Sequence, residues 1–248
     1  MIPLKSPKDL EMLKRSGAIL AAVMQKLQVA LCAGMTTLDI DLLSAELIRK
    51  AKAQAAFKGY KGFPGTACVS VNEEIVHGIP GSRVILEGDI VSLDLGVNYE
   101  GFFSDMAVTL PVGKVDSAKL KLIDVTRQSL AIGIKQAQAG NYLTDISHSI
   151  QSFVEAQGFS VVRQFVGHGI GASLHEEPEI PNFGSPGLGP LLKSGMVLAI
   201  EPMINLGSWE CRIMENGWTA VTADGAPSAH FEHTVAVTDK GPVILTKL

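Results

Sequence analysis

Cysteine is scarce in this chain of 248 residues. Cys32, Cys68 and Cys211 are odd in number, widely spaced and without a CxxC pair, which excludes a disulfide framework and makes a reducing cytoplasm the expected location. Charge of one sign is nowhere concentrated: 21 Lys and Arg against 25 Asp and Glu give a net charge of −4. No basic face for nucleic acid and no polybasic membrane patch is therefore expected, although transient contact with a ribosome stays compatible with this balance. Long hydrophobic runs are missing too. The apolar stretch Gly17 to Met24 ends at Gln25-Lys26, too soon to span a bilayer, and Asp9 and Glu11 interrupt the start where a signal peptide would turn apolar. No long exposed apolar stripe stands out, so a monomer is expected.

What the chain does contain is an internal repeat. Ala33-Gly34-Met35-Thr36-Thr37-Leu38-Asp39-Ile40 returns as Ala139-Gly140-Asn141-Tyr142-Leu143-Thr144-Asp145-Ile146, an offset of 106 residues. Gly88-Asp89-Ile90-Val91-Ser92-Leu93-Asp94 returns as Gly195-Met196-Val197-Leu198-Ala199-Ile200-Glu201, an offset of 107. Each half opens with two helical patterns. Ser6-Pro7 reads as a cap followed by proline at the first helical position, leading a helix towards Leu31. A second helix follows Thr36 or Thr37, and Ser117 to Ala137 and Leu143 to Gln157 repeat the arrangement. Short β-rich segments follow each pair: 67–71, 90–97 and 107–112, then 160–165, 196–204, 212–214, 219–222 and 233–238. The pattern predicts an α+β fold of two pseudo-symmetric halves, roughly 6–112 and 113–248. They would share a sheet with helices on one side, and a shared site would lie in the cleft between them.

Acidic residues fall at matching places in the repeat. A hairpin centred between Tyr99 and Glu100 would set Asp94 directly opposite Asp105, with Cβ atoms about 5 Å apart. A hairpin centred on Asn216-Gly217, the strongest short turn signal in the chain, would pair Glu201 with Glu232. Like charges across a hairpin destabilise it, and a bound cation removes the penalty. His168, between Gly167 and Gly169, adds one nitrogen to the four carboxylates. That donor set suits Mn²⁺, Fe²⁺, Co²⁺ or Zn²⁺ and matches the charge of two such ions, which would activate a water for hydrolysis. His148 is expected on an exposed helix face. His230 and His233 flank Glu232 and are expected to point away from it.

These motifs are similar to those of methionine aminopeptidases. The resemblance is carried by Val71 to Pro80, the Asp94/Asp105 hairpin, Gly167-His168-Gly169-Ile170-Gly171 through His175-Glu176-Glu177-Pro178, Ile200-Glu201-Pro202 and Phe231-Glu232-His233-Thr234. It covers the chain from Ser6 onward. It looks like the short, bacterial-like type I form, without the helical insertion of type II. The resemblance implies the pita-bread fold as one catalytic domain over 1–248, and removal of the initiator methionine from nascent proteins whose second residue is small. It implies two divalent ions, with Asp94 on one, Asp105 and Glu232 bridging, and His168 and Glu201 completing the second sphere. His175 would donate to the oxyanion, His77 would contact the substrate backbone, and Glu201 would pass a proton to the leaving amine. The methionine pocket would be Tyr60, Phe63, Cys68 and Trp218, with Phe57 and Leu174 nearby. Phe57 stands where several relatives carry cysteine, and Leu174 where some carry an aromatic. Prolidase and aminopeptidase P share the metal ligands but carry an extra N-terminal domain, and here the catalytic pattern starts near residue 6.

Overall fold

The computed structural model describes residues 2–247. The first half runs α1 (Pro7–Ala30), α2 (Thr37–Lys50), β1 (Gln54–Ala55), β2 (Ala67–Val71), β3 (Glu74–Val76), β4 (Ile90–Tyr99) and β5 (Phe102–Pro111). The second runs α3 (Ser117–Gln136), α4 (Leu143–Ala156), β6 (Ser160–Val161), β7 (Gly167–Gly169), β8 (Glu176–Ile180) and β9 (Val197–Ile200). It closes with β10 (Met203–Asn205), β11 (Cys211–Ile213), β12 (Ala220–Thr222), β13 (Ser228–His230), β14 (Glu232–Thr238) and β15 (Gly241–Ile244).

Local signals set the helix starts. Ser6 accepts from the Asp9 amide while Asp9 returns a bond to the Ser6 amide, with Pro7 at the first position. Thr36 and Asp39 make the same reciprocal box at α2. In the second half Asp145 holds the Tyr142 amide at 2.7 Å. The repeat is visible in the hydrogen bonds themselves. Gly34 donates to the Ile85 carbonyl at 2.8 Å and Gly140 to that of Leu192 at 3.0 Å, while Thr36 bridges Val84 and Tyr142 bridges Leu191. Gly88 bonds Val112 and Gly195 bonds Val237, and both glycines sit at positive φ, 89° and 93°.

A curled nine-stranded antiparallel sheet unites the halves in the order β1-β4-β5-β14-β9-β7-β8, with β2 also on β4 and β15 on β14. The seam is β5 against β14, where Glu232 lies opposite Ala107 and His233 opposite Met106. Alternation then assigns the faces. Leu93, Leu95, Met106, Val108, Leu198, Ile200, Val235 and Val237 point to the helix side, where they meet Leu20, Met24, Leu27, Leu122, Ile146 and Ile150 in one core. Each such fully buried side chain contributes roughly 1.5–3 kcal/mol. The intervening residues, including Asp94, Asp105, Ala199 and Glu232, belong to the other, concave face.

Two hairpin expectations fared differently. In the first, Asp105 faces Gly96 and Asp94 faces Ala107, so the two acids are diagonal rather than directly opposite. The turn is Glu100-Gly101, with φ of 52° and 85°, one residue beyond the expected centre. The left-handed pair needs glycine at its second position, and Asn98 braces the Gly101 amide at 2.9 Å. The slip moves partners by two residues, so both acids keep one face. In the second, every pair from Ala236↔Val197 through Met203↔His230 to Ile213↔Ala220 is equidistant from Asn216-Gly217, as expected. The run expected over 196–204 is interrupted at Glu201-Pro202, and of 160–165 only Ser160–Val161 is strand.

Close packing between α1 and the C-terminal segment yields a test. A Cβ on Gly17 would lie 2.3 Å from the Leu245 carbonyl oxygen, a backbone atom that cannot swing aside. Gly17→Ala is expected to destabilise by about 1–3 kcal/mol despite alanine's better helix propensity. A urea midpoint equal to or above wild type would show that the helix–backbone approach is not tight.

Candidate metal centre

Five of the residues singled out by sequence meet on the concave face. Asp105, His168 and Glu232 each place one donor atom within 4.8 Å of the others. His168 Nε2 lies 4.0 Å from Asp105 Oδ2 and 3.7 Å from Glu201 Oε1. Asp94 stands beside Asp105, diagonal to it across β4 and β5, with Cys68 as its partner on β2.

The backbone explains why these side chains converge. His168 sits in a strand, not a turn, and its flanking glycines let neighbouring strands close in. A Cβ on Gly167 would meet the Ala199 carbonyl at 2.4 Å, and one on Gly169 the Glu177 carbonyl at 2.1 Å. Asp105 is pinned at the seam, where its amide donates to Thr234 Oγ1 at 2.9 Å and its carbonyl accepts from the same hydroxyl at 2.8 Å. Asn182 holds the Glu201 carbonyl at 3.0 Å, where proline has interrupted the strand.

The electrostatics are lopsided. Desolvation lifts the Asp94 and Glu201 carboxyls to about 7, with Glu201 adding to the rise at Asp94. Asp105 and Glu232 are lifted further by burial and by the other acids. Glu232 Oε1 is buried with no hydrogen-bond partner. No lysine or arginine forms an ion pair with any of the four among the described residues. Four carboxylates with one or two imidazoles, and no lysine or arginine paired with them among the described residues, fit a divalent metal site by the chemistry of the donor set.

The cluster forms one end of a cavity of about 320 Å³. Phe57, Tyr60, Phe63, Cys68, Leu174 and Trp218 line its apolar wall, and His77 and His175 its approach. Phe63 and Trp218 meet edge to face with centroids 5.2 Å apart. Burial, and then the Asp94 charge, push the Cys68 thiol well above its ordinary value, so it serves as a small apolar wall. His77 holds φ of 60°, a strained conformation for a non-glycine residue, and its ring packs edge-on to Phe165 at 5.4 Å. Burial lowers it to about 4, which leaves it neutral near pH 7. His175, exposed at the cavity mouth, has its Nδ1 2.8 Å from the Tyr60 hydroxyl, and its ring lies 4.2 Å from that of His168. Desolvation of the ring and then His168 depress its pKa.

The expectation that His230 points away from Glu232 is corrected here. His230 closes β13, separated by Phe231 alone from the start of β14, and its ring enters the site beside Glu201. His230 Nε2 lies 3.4 Å from Glu201 Oε2, and the residue is 1% exposed. His233, one residue from Glu232, does point away, with Nδ1 2.9 Å from Thr246 Oγ1. His148 lies exposed on α4.

Residues 11–239 match the model for metallopeptidase family M24. The chain belongs to that family. It falls with the methionine aminopeptidases: it is 50% identical over 246 residues to the methionine aminopeptidase of Clostridium perfringens, covering 99% of both chains. It is 48% identical to methionine aminopeptidase 1 of Bacillus subtilis over the whole length of both. A crystal structure of methionine aminopeptidase from Thermotoga maritima superposes with a TM-score of 0.98 at 47% identity and complete coverage of both chains. Prolidase from Pyrococcus furiosus shares the fold alone, with a TM-score of 0.81 at 20% identity, and this chain covers 65% of it. The pita-bread architecture of these M24 enzymes is the curled sheet and four helices described above.

The raised carboxyls give this M24 centre a pH signature. Asp94 and Glu201 move from ordinary values of 3.8 and 4.5 to about 7 on folding. Between those limits the folded chain binds protons that the unfolded chain has released, so stability falls as pH rises through the window. His77, with an ordinary value of 6.5, acts in the opposite sense but only below that pH. The metal-free protein should therefore lose thermal stability from pH 6.5 to pH 8, and Mn²⁺ should raise its Tm more at pH 8. A metal-free Tm that climbs over this range would contradict the uncompensated cluster.

Proposed function

We propose that residues 1–248 form one catalytic domain that hydrolyses the first peptide bond of nascent proteins, releasing the initiator methionine when the second residue is small. The observation that carries this reading is the shared cavity, in which the acid–histidine cluster and an apolar, partly aromatic wall face one space. Methionine, flexible and polarisable, suits walls of Phe63, Trp218 and Cys68.

Asp94, Asp105, His168, Glu201 and Glu232 would hold two divalent ions drawn from Mn²⁺, Fe²⁺, Co²⁺ or Zn²⁺. When bound, such ions supply an activated water and polarise the scissile carbonyl. Asp105 and Glu232 stand on the two strands of the seam, which supports a shared, bridging role for both. His175 would donate from Nε2 to the developing oxyanion, its tautomer fixed by Tyr60 donating to Nδ1. His77, neutral and held by its strained backbone, would hydrogen-bond the substrate main chain beyond the scissile bond. Glu201 would carry the proton to the departing amine. Three free cysteines support a reducing, cytoplasmic setting. We propose a monomer there, meeting nascent chains through transient ribosome contact.

Cleavage before proline is the second reading, favoured only by the prolidase likeness in fold. Incubating metal-free protein with Met-Ala-Ser and Ala-Pro-Ala, with and without Mn²⁺, separates the two. Metal-dependent release of free methionine is expected, with the proline peptide intact. The reverse pattern would transfer the assignment to proline peptides, and silence on both would indicate a binding protein. Asp105→Ala and Glu232→Ala are each expected to cut turnover by about a hundredfold or more at saturating Mn²⁺ while retaining the circular dichroism of the parent. Retention of more than about a tenth of the rate would exclude a bridging role.

A further inference from the structure

His230 is a buried imidazole that none of the roles above uses. Its residue is 1% exposed, and neither ring nitrogen has a hydrogen-bond partner. Buried polar groups of native proteins are rarely left so. Its backbone is clamped on both polar groups. The amide donates to Thr109 Oγ1 at 2.8 Å, and the carbonyl accepts from the same hydroxyl at 2.8 Å. Because the Thr109 proton goes to that carbonyl, Ser92 Oγ, 2.8 Å away, must donate to Thr109. A hydroxyl chain from β4 through β5 thus holds the His230 backbone beside the site.

Among the described residues the carboxylate that comes within 4.0 Å of a ring nitrogen is that of Glu201, with Nε2 3.4 Å from Oε2, while Asp94 acts on the ring from farther off. His168 Nε2 stands 3.7 Å from the other oxygen, Oε1. One carboxylate is therefore bracketed by two imidazoles, each addressing a different oxygen. Glu201 also sits at the point where Pro202 breaks the strand, so the ladder that orients Asp105 and Glu232 does not orient it. It needs another restraint.

We propose that His230 is a positioning residue for Glu201, donating its Nε2–H to Oε2 so that Oε1 stays turned toward His168 and the centre. The distance is slightly beyond an ordinary N–H···O bond, so the proposed bond requires the ring and the carboxylate to draw together. With Nε2 as donor, Nδ1 remains the acceptor nitrogen. Outer partners of this kind hold ligand oxygens in place and strengthen metal binding. This inference rests on the reading of the cluster as a metal centre.

Calorimetric titration of Mn²⁺ into metal-free wild type, His230→Gln and His230→Leu tests it without recourse to activity. Glutamine can donate from a similar position, and leucine cannot. The leucine variant is expected to bind roughly ten- to a hundredfold more weakly, and the glutamine variant to stay within about threefold of wild type. Binding by His230→Leu at wild-type strength would overturn the proposal. So would equal losses in both variants, since the imidazole itself would then be the required ligand. If the leucine variant does not fold, His230→Met, which fills the space without a donor, takes its place. Failure of wild type itself to bind Mn²⁺ would overturn the metal-centre reading, a result distinct from either.

Discussion

Four carboxylates on one face of one sheet, with no lysine or arginine among them, set the terms for the rest of this structure. Their mutual repulsion and their removal from water both favour protonation, which is why all four titrate high. A chain folds around such a cluster only if the scaffold is stiff enough to hold the acids together against that cost. The stiffness comes from the opposite face, where helices and strands share one continuous apolar core. The centre is thus strained locally and supported by burial a strand's thickness away.

The seam between the halves is where that support is most specific. β5 and β14 share only a short ladder, Glu232 with Ala107 and His233 with Met106. On either side of it a threonine hydroxyl replaces the backbone pairing. Thr234 clamps both main-chain groups of Asp105, and Thr109 clamps both of His230. Strand contact gives way to side-chain stitches at the positions whose side chains must face the cavity. That arrangement fixes backbone direction while leaving the strands free to curl.

The repeat was legible because its signals are local. Helix caps at Ser6 and Thr36, glycines at positive φ at 88 and 195, and the Asn216-Gly217 turn are short-range devices, and each sits where the pattern placed it. The Glu100-Gly101 turn shows how narrow the margin is. A shift of one residue in its centre turned an opposed acid pair into a diagonal one, and only the even count kept both on one face. The side taken by His230 was not legible in this way, because it closes β13 and Phe231 separates it from β14, where Glu232 begins.

The sequence alone determined the two-half α+β plan, the donor types and the two hairpins that carry the carboxylates, because alternation and turn chemistry act within a few residues. It also carried the family resemblance, which full-length matches to methionine aminopeptidases bear out. Tertiary structure decided what stands next to what across the seam. The packing of His168 between strands that approach over Gly167 and Gly169, and the bracketing of Glu201 by His168 and His230, depend on contacts between distant segments. No local rule encodes those contacts, because they follow from how the sheet curls once its helix face is buried.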